Sequence, residues 1–170
     1  MKIDLNSTSP LKFATPALVI GCCEDARDEL FTTCDKALDG CLGRLAASKE
    51  FTGKVNTTRL IHTLGKLPAE QLLLAGLGKK AGLDNERLRQ AAGNAVQALR
   101  AARVASFATA LHHLSGIGNT ALETVCEGSL LGSYSFDEYK TKDKDDRFRF
   151  EGMTLLLPKG ITVKEGRARI

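Results

Sequence analysis

Two glycine-rich turns hold the residues whose types and spacing best suit binding chemistry. Gly76-Leu77-Gly78-Lys79-Lys80-Ala81-Gly82 follows an apolar run and precedes a helical one. In that context backbone N–H groups and a helix N-terminus face an anion, and Lys79 adds a cation. Gly116-Ile117-Gly118-Asn119 also leads into a helical segment. Gly76, Gly78, Lys79, Gly116 and Gly118 are therefore the candidate positions for a phosphate ligand. Two features count against them. Gly82 falls one position late for the dinucleotide pattern, and Asp84 at the helix start repels phosphate. Glycine for tight packing at a turn is the competing reading.

Catalytic chemistry finds no comparable set. His112-His113 is the only histidine cluster, and adjacent side chains at a strand end point to opposite faces, which prevents both from binding one metal. Neither a His-Glu-x-x-His nor a Gly-x-Ser-x-Gly motif occurs. Asp143, Asp145 and Asp146 alternate with Lys140, Lys142, Lys144 and Arg147, which reads as a solvated charged loop. The expectation is no catalytic residue, no metal ligand set and no cofactor in this chain. Cys22, Cys23, Cys34, Cys41 and Cys126 are odd in number and show no Cys-x-x-Cys spacing, so they read as small apolar residues in a reducing cytosol.

The overall composition is that of a globular domain. Hydrophobic residues make up 43% and charged residues 26% of 170, which argues against disorder. The net charge of +4 mixes both signs. Lys79, Lys80, Arg87, Arg89, Arg100 and Arg103 form a basic patch, but no aromatic residues are interleaved for base stacking, so DNA binding is not expected. Runs such as Ala17 to Cys23 are far shorter than the roughly 20 residues needed to cross a bilayer. The first residues lack the apolar core of a signal peptide, so a cytoplasmic location is expected.

The elements that must position these residues follow from periodicity. Ile3 to Asn6, Ala17 to Cys23, Thr58 to Leu64, Gln71 to Leu77, Val104 to Leu111 and Phe148 to Leu157 read as strands. Ala17 to Cys23, Leu72 to Leu77 and Val104 to Leu111 are apolar at nearly every position and are expected at the sheet centre. The short link Gly65 to Glu70 favours an antiparallel hairpin. Helical periods run over Glu24 to Lys49, with a break near Gly40 or Gly43, and over Asn85 to Arg103 behind an Asp84 cap. A third helix runs from a Thr120–Glu123 capping box to about Tyr139, with Leu130 on its core side. Ile161 to Val163 carries a weak strand signal. Alternating strands and helices predict a mostly parallel or mixed sheet of about six strands with helices on its faces.

Three phrases, in order, resemble the N-terminal domain of the leucyl (cytosol) aminopeptidase family. They are Phe51-Thr52-Gly53-Lys54, then Leu73-Leu74-Ala75-Gly76-Leu77-Gly78-Lys79-Lys80 with the following Leu88-Arg89-Gln90-Ala91-Ala92-Gly93, and then Glu127-Gly128-Ser129-Leu130-Leu131-Gly132-Ser133-Tyr134-Ser135-Phe136-Asp137-Glu138-Tyr139-Lys140-Thr141-Lys142. Asn56 stands where the family commonly has Gly, and Ser135 where a basic residue is usual. The resemblance implies a three-layer α/β/α, macro-domain-like fold over residues 1–158, with 159–170 starting a linker. It further implies a parent enzyme that removes N-terminal amino acids, preferably Leu, from peptides. In that parent two divalent metals, Zn or Mn, sit in a C-terminal catalytic domain, and the subunits assemble as a hexamer. The family's Asn-Thr-Asp-Ala-Glu-Gly-Arg motif is absent here. The alternative is a free-standing macro-like module that holds a nucleotide or other phosphate ligand on its two glycine-rich loops.

Alkylation of unfolded protein prepared under trapping conditions should recover all five cysteines as free thiols; a lower count would reveal a disulfide.

Overall fold

The computed structural model describes residues 1–113, 120–134, 148–158, 160, 161 and 163–168. In chain order the elements are β1 (Lys2–Asn6), β2 (Thr15–Cys23), α1 (Glu29–Ala37), α2 (Cys41–Ala47), β3 (Thr58–His62), β4 (Ala69–Gly78), α3 (Asn85–Ala101), β5 (Ser106–Thr109), α4 (Ala121–Ser133), β6 (Gly152–Leu156) and α5 (Val163–Arg167). One six-stranded sheet has the order β1-β6-β5-β2-β4-β3. All its pairs are parallel except β3 with β4, the expected hairpin. The three strands expected at the centre are all interior.

Alternation along the strands splits the core between two layers. Val19, Leu73, Ala75 and Leu77 face the cluster that includes Leu88, Val96 and Leu99 of α3 and Val125 of α4. Leu18, Ile20, Leu72 and Leu74 face the cluster that includes Phe31 and Cys34 of α1 and Leu42 of α2. Helices therefore cover both faces, as strands without a polar face require.

Local chemistry sets the helix boundaries. Asp28 Oδ1 accepts the Phe31 N–H at 2.7 Å and starts α1. Asp84 Oδ1 accepts the Arg87 N–H at 2.8 Å and starts α3. The long helical period over 24–49 divides into α1 and α2 because Asp39 (φ 53°) and Gly40 (φ 74°) adopt left-handed backbone.

Some expectations fail. Thr120 makes no side-chain cap bond to α4; its hydroxyl instead accepts from Asn85 Nδ2 at 2.9 Å, which ties α4 to α3. Leu130 is 42% exposed, because helical spacing places it on the same face as the exposed Glu123 and Glu127. Of the expected strand at Ile161 to Val163, the described residues give a different outcome: Val163 begins α5, whose Gly166 lies against Leu157 and Leu5. Cys41, the first residue of α2, is half-buried rather than buried. All five cysteines are free thiols. Residues 135–139 of the expected third helix, Gly116 and Gly118, and the Asp143–Asp146 loop lie outside the described residues.

Helices α3 and α4 cross through a glycine seam. A Cβ on Gly132 would lie 2.7 Å from the Gly93 Cα, and one on Gly128 would lie 2.4 Å from the Arg89 carbonyl oxygen. Backbone on backbone cannot give way as a flexible side chain can. Gln97 Nε2 donates to the Gly132 carbonyl at 2.6 Å, and Arg89 bridges Glu86 and Glu127 at 2.7 and 3.1 Å along the same seam.

The β3–β4 turn breaks a local rule. Leu64 (φ 53°) and Gly65 (φ 78°) hold the primed hairpin geometry, with the Lys66 N–H donating to the Thr63 carbonyl at 3.0 Å. Leu64 is 85% exposed, so its strain is not offset by burial. Leu64→Asn should stabilise the chain by about 0.5–1 kcal/mol, since Asn tolerates left-handed backbone better. Gly128→Ala should destabilise it by about 2 kcal/mol or more through overpacking. Thermal melts of the two variants should therefore move in opposite directions.

Candidate functional site

Strand order reverses at β2: the chain leaves it toward β4 and β3 and returns on the other side as β5. In open α/β sheets, ligands bind outside the carboxyl ends of the strands at such a reversal. A cavity of about 330 Å³ lies there. Cys22 and Cys23 of β2, Phe31 of α1, Leu83 beyond β4 and His113 beyond β5 contribute to its walls. A β-bulge shapes its edge, as Cys22 pairs with Gly76 while Cys23 pairs with Gly78.

Charged groups of both signs converge on the cavity. Arg27 donates to the Cys23 carbonyl at 2.6 Å and stacks on Phe31, its guanidinium carbon 4.7 Å from the ring centroid. Lys80 lines the same cavity. Asp28 and Glu29, at the start of α1, form the boundary with an adjoining groove of about 480 Å³. Pro10, Leu11, Leu30, Leu157 and Pro158 give that groove its apolar walls. Burial pushes the Cys23 thiol pKa up, reinforced by Asp25 and Asp28 and opposed by Lys80 and Arg27. Burial pushes Cys34 up to about 12, and Cys22 is raised further still by the same cause. These thiols stay protonated and are poor nucleophiles.

The glycine turn after β4 is filled by protein. A Cβ on Gly76 would lie 2.0 Å from the Lys54 carbonyl oxygen and 2.5 Å from Thr57 Oγ1. The Gly76 N–H donates to the Thr57 carbonyl and the Gly78 N–H to the Gly53 carbonyl, both at 2.8 Å. The Lys80 N–H donates to Asp25 Oδ1 at 2.8 Å, and the Arg87 guanidinium covers Gly82. Amides of Gly76, Gly78 and Lys80 that a phosphate would need are thus already engaged by the chain. The packing reading applies to Gly76 and Gly78.

His112 and His113 do not point to opposite faces. They sit on a tight helical turn after β5 with ring centroids 4.8 Å apart. His113 Nε2–H donates to the Leu156 carbonyl. His112 is buried, and neither of its ring nitrogens has a hydrogen-bond partner among the described residues. Burial and the neighbouring His113 lower its pKa from 6.5 to about 3. Burial also lowers His113, while the Leu156 carbonyl and Asp28 act the other way.

Sequence reading missed this crevice. Its signal was an acidic stretch, Glu24 to Glu29, directly after a strand with no polar face. That pattern places a helix N-terminus at the carboxyl edge of the sheet.

A sequence model of the N-terminal domain of the cytosol aminopeptidase family matches residues 19–143. The chain belongs to the cytosol aminopeptidase family. A probable cytosol aminopeptidase of a Geobacter sp. is 65% identical over 158 residues, which cover 93% of this chain and 32% of that protein. The Geobacter sulfurreducens protein of the same name is 41% identical over 84% of this chain and 29% of its own length. The chain thus spans about a third of the curated relatives that it matches. Among solved structures, a tomato leucine aminopeptidase mutant superposes with a TM-score of 0.77 at 22% identity, over 98% of this chain and 34% of that one. A Trypanosoma brucei macrodomain in complex with ADP-ribose gives 0.69 at 13% identity, over 98% of this chain and 67% of that one. These likenesses show the macro-like fold.

The family phrases are contacts. Phe51-Thr52-Gly53-Lys54 carries the carbonyls that close on Gly76 and Gly78. Gly93 of the second phrase meets Gly132 of the third. Asn56, at the family's glycine position, has φ 62°, and its Oδ1 accepts from Asn94 Nδ2 at 2.8 Å.

Because folding keeps His112 neutral, the unfolded chain binds more protons below pH 6.5. Stability from this residue is present above that pH and is lost as pH falls toward about 3. Its contribution should fall by about 1.4 kcal/mol per pH unit within that window. Denaturant titrations at pH 7 and 5 should show the loss, and His112→Gln should reduce the slope.

Proposed function

We propose that this chain is the non-catalytic N-terminal domain of a metal-dependent leucyl aminopeptidase. In this reading residues 1–158 form the domain and 159–170 begin the linker. The supporting observation is the alignment: 93% of the chain matches a family member at 65% identity while occupying only 32% of its length. The parent removes N-terminal amino acids, preferably Leu, from peptides in the cytoplasm, as a hexamer. The chemistry of its two divalent metals, Zn or Mn, belongs to the C-terminal catalytic domain, which is this domain's partner. The described residues do not fit a two-metal centre: no group of three or more His, Cys, Asp or Glu side chains among them is placed to hold a metal. No described helix is long and apolar enough to cross a membrane.

The alternative, a free-standing nucleotide-binding module, has less support. The amides of Gly76, Gly78 and Lys80 face protein rather than an open cradle, and Asp28 and Glu29 stand at the crevice where a pyrophosphate would add like charge. DNA binding has no support beyond mild basicity; Arg89 is already paired with Glu86 and Glu127.

A domain exchange tests the proposal. Residues 1–158 replace the matching segment of the Geobacter sp. relative, and aminopeptidase activity and assembly are measured. The chimera should fold, assemble and cleave a leucine substrate. A soluble, folded chimera that neither assembles nor cleaves would contradict the domain assignment.

A further inference from the structure

We infer that the crevice at the carboxyl end of β2 is a binding site for a free apolar α-amino acid. This inference does not depend on the proposed parent enzyme, because the ligand is chosen by the charges and shape of the crevice alone. Three observations carry it.

The first is position. The cavity lies at the strand-order reversal, and its walls come from the segments after β2, β4 and β5. These segments are held firmly. Asp28 caps α1, Arg27 is fixed on the Cys23 carbonyl and the Phe31 ring, and Asp25 is bonded to the Lys80 N–H. A site whose walls are already fixed loses little freedom on binding.

The second is the arrangement of charge. The cations Arg27 and Lys80 line only the inner cavity. The carboxylates Asp28 and Glu29 line the junction between cavity and groove. All but Glu29 act electrostatically on Cys23, the two cations opposing the carboxylate. A small ligand that carries one charge of each sign matches this polarity. Its carboxylate faces Arg27 and Lys80, and its ammonium faces Asp28 and Glu29. A polyanion meets two carboxylates, and a simple cation meets two bases.

The third is size and apolar surface. The inner cavity, about 330 Å³, is at the small end of the roughly 300–1,000 Å³ of ligand sites. Beyond the charged junction, Leu11, Leu30 and Leu157 offer apolar surface to a side chain. Free amino acids with aliphatic side chains combine both features.

Amide chemical-shift mapping on the 170-residue chain tests the inference, with L-leucine as the probe. Leucinamide lacks the carboxylate, the corresponding α-keto acid lacks the ammonium, and ADP-ribose represents a polyanion. Leucine should bind saturably and shift the amides of Cys23, Glu29, Phe31 and His113. Leucinamide and the keto acid should each bind about tenfold more weakly, as should leucine to Lys80→Glu or Glu29→Lys, both exposed positions. Absence of saturable leucine binding would overturn the inference. So would shifts confined to another surface, leucinamide or keto acid binding equal to leucine, or ADP-ribose binding more tightly than leucine.

Discussion

Strand β2 is the constraint around which the molecule is arranged. Every residue in it except Pro16 is buried, and its backbone is paired in parallel with β4 on one side and β5 on the other. A strand with no polar face needs cover above and below, and parallel neighbours need long connections that can supply it. Helices α1 and α2 cover one face and α3 and α4 the other. Leu18, Val19 and Ile20 are each 1% exposed. Burial at that level contributes about 2 kcal/mol per aliphatic side chain. Because the chain runs from β2 to β3 and β4 on one side and returns on the other as β5, the carboxyl end of β2 opens into the crevice.

Glycine sets how closely the layers approach. Gly53, Gly76 and Gly78 join the loop after α2 to the end of β4, and Gly93, Gly128 and Gly132 join α3 to α4. At Gly76, Gly128 and Gly132 a Cβ would enter backbone of the facing segment. These residues sit within the phrases that mark the family. The family signature in this chain is therefore a record of close packing. It also explains why Gly76-Leu77-Gly78 resembles a phosphate loop in sequence: both structures need bare backbone, here to admit Lys54 and Thr57 rather than a ligand.

Much of the fold was legible because burial imposes simple periods. Runs such as Ala17 to Cys23 and Leu72 to Leu77 have no polar face, so their central place follows directly. Asp84 caps its helix as expected, whereas Asp28, expected inside a helix from Glu24, caps α1 at Glu29 instead. Legibility failed where two physical solutions share one sequence pattern. Thr120 and Glu123 match a capping box, yet the Thr120 hydroxyl serves Asn85. Ile161 to Val163 is apolar enough for a strand, but β1 already closes that edge of the sheet, and a short helix packs there instead. His112-His113 followed strand alternation on paper but falls on a tight helical turn. The crevice was the least legible feature, because its residues come from segments after three different strands and meet only in the folded sheet.

In the reading proposed above, the metal chemistry of the parent lies outside this domain. The most direct measurement is the release of leucine from a chromogenic leucine substrate by the purified 170-residue chain, with and without added zinc or manganese. The account predicts no turnover above the metal-only control in any condition. Metal-dependent release that co-purifies with the chain through successive columns, and follows its concentration, would contradict it.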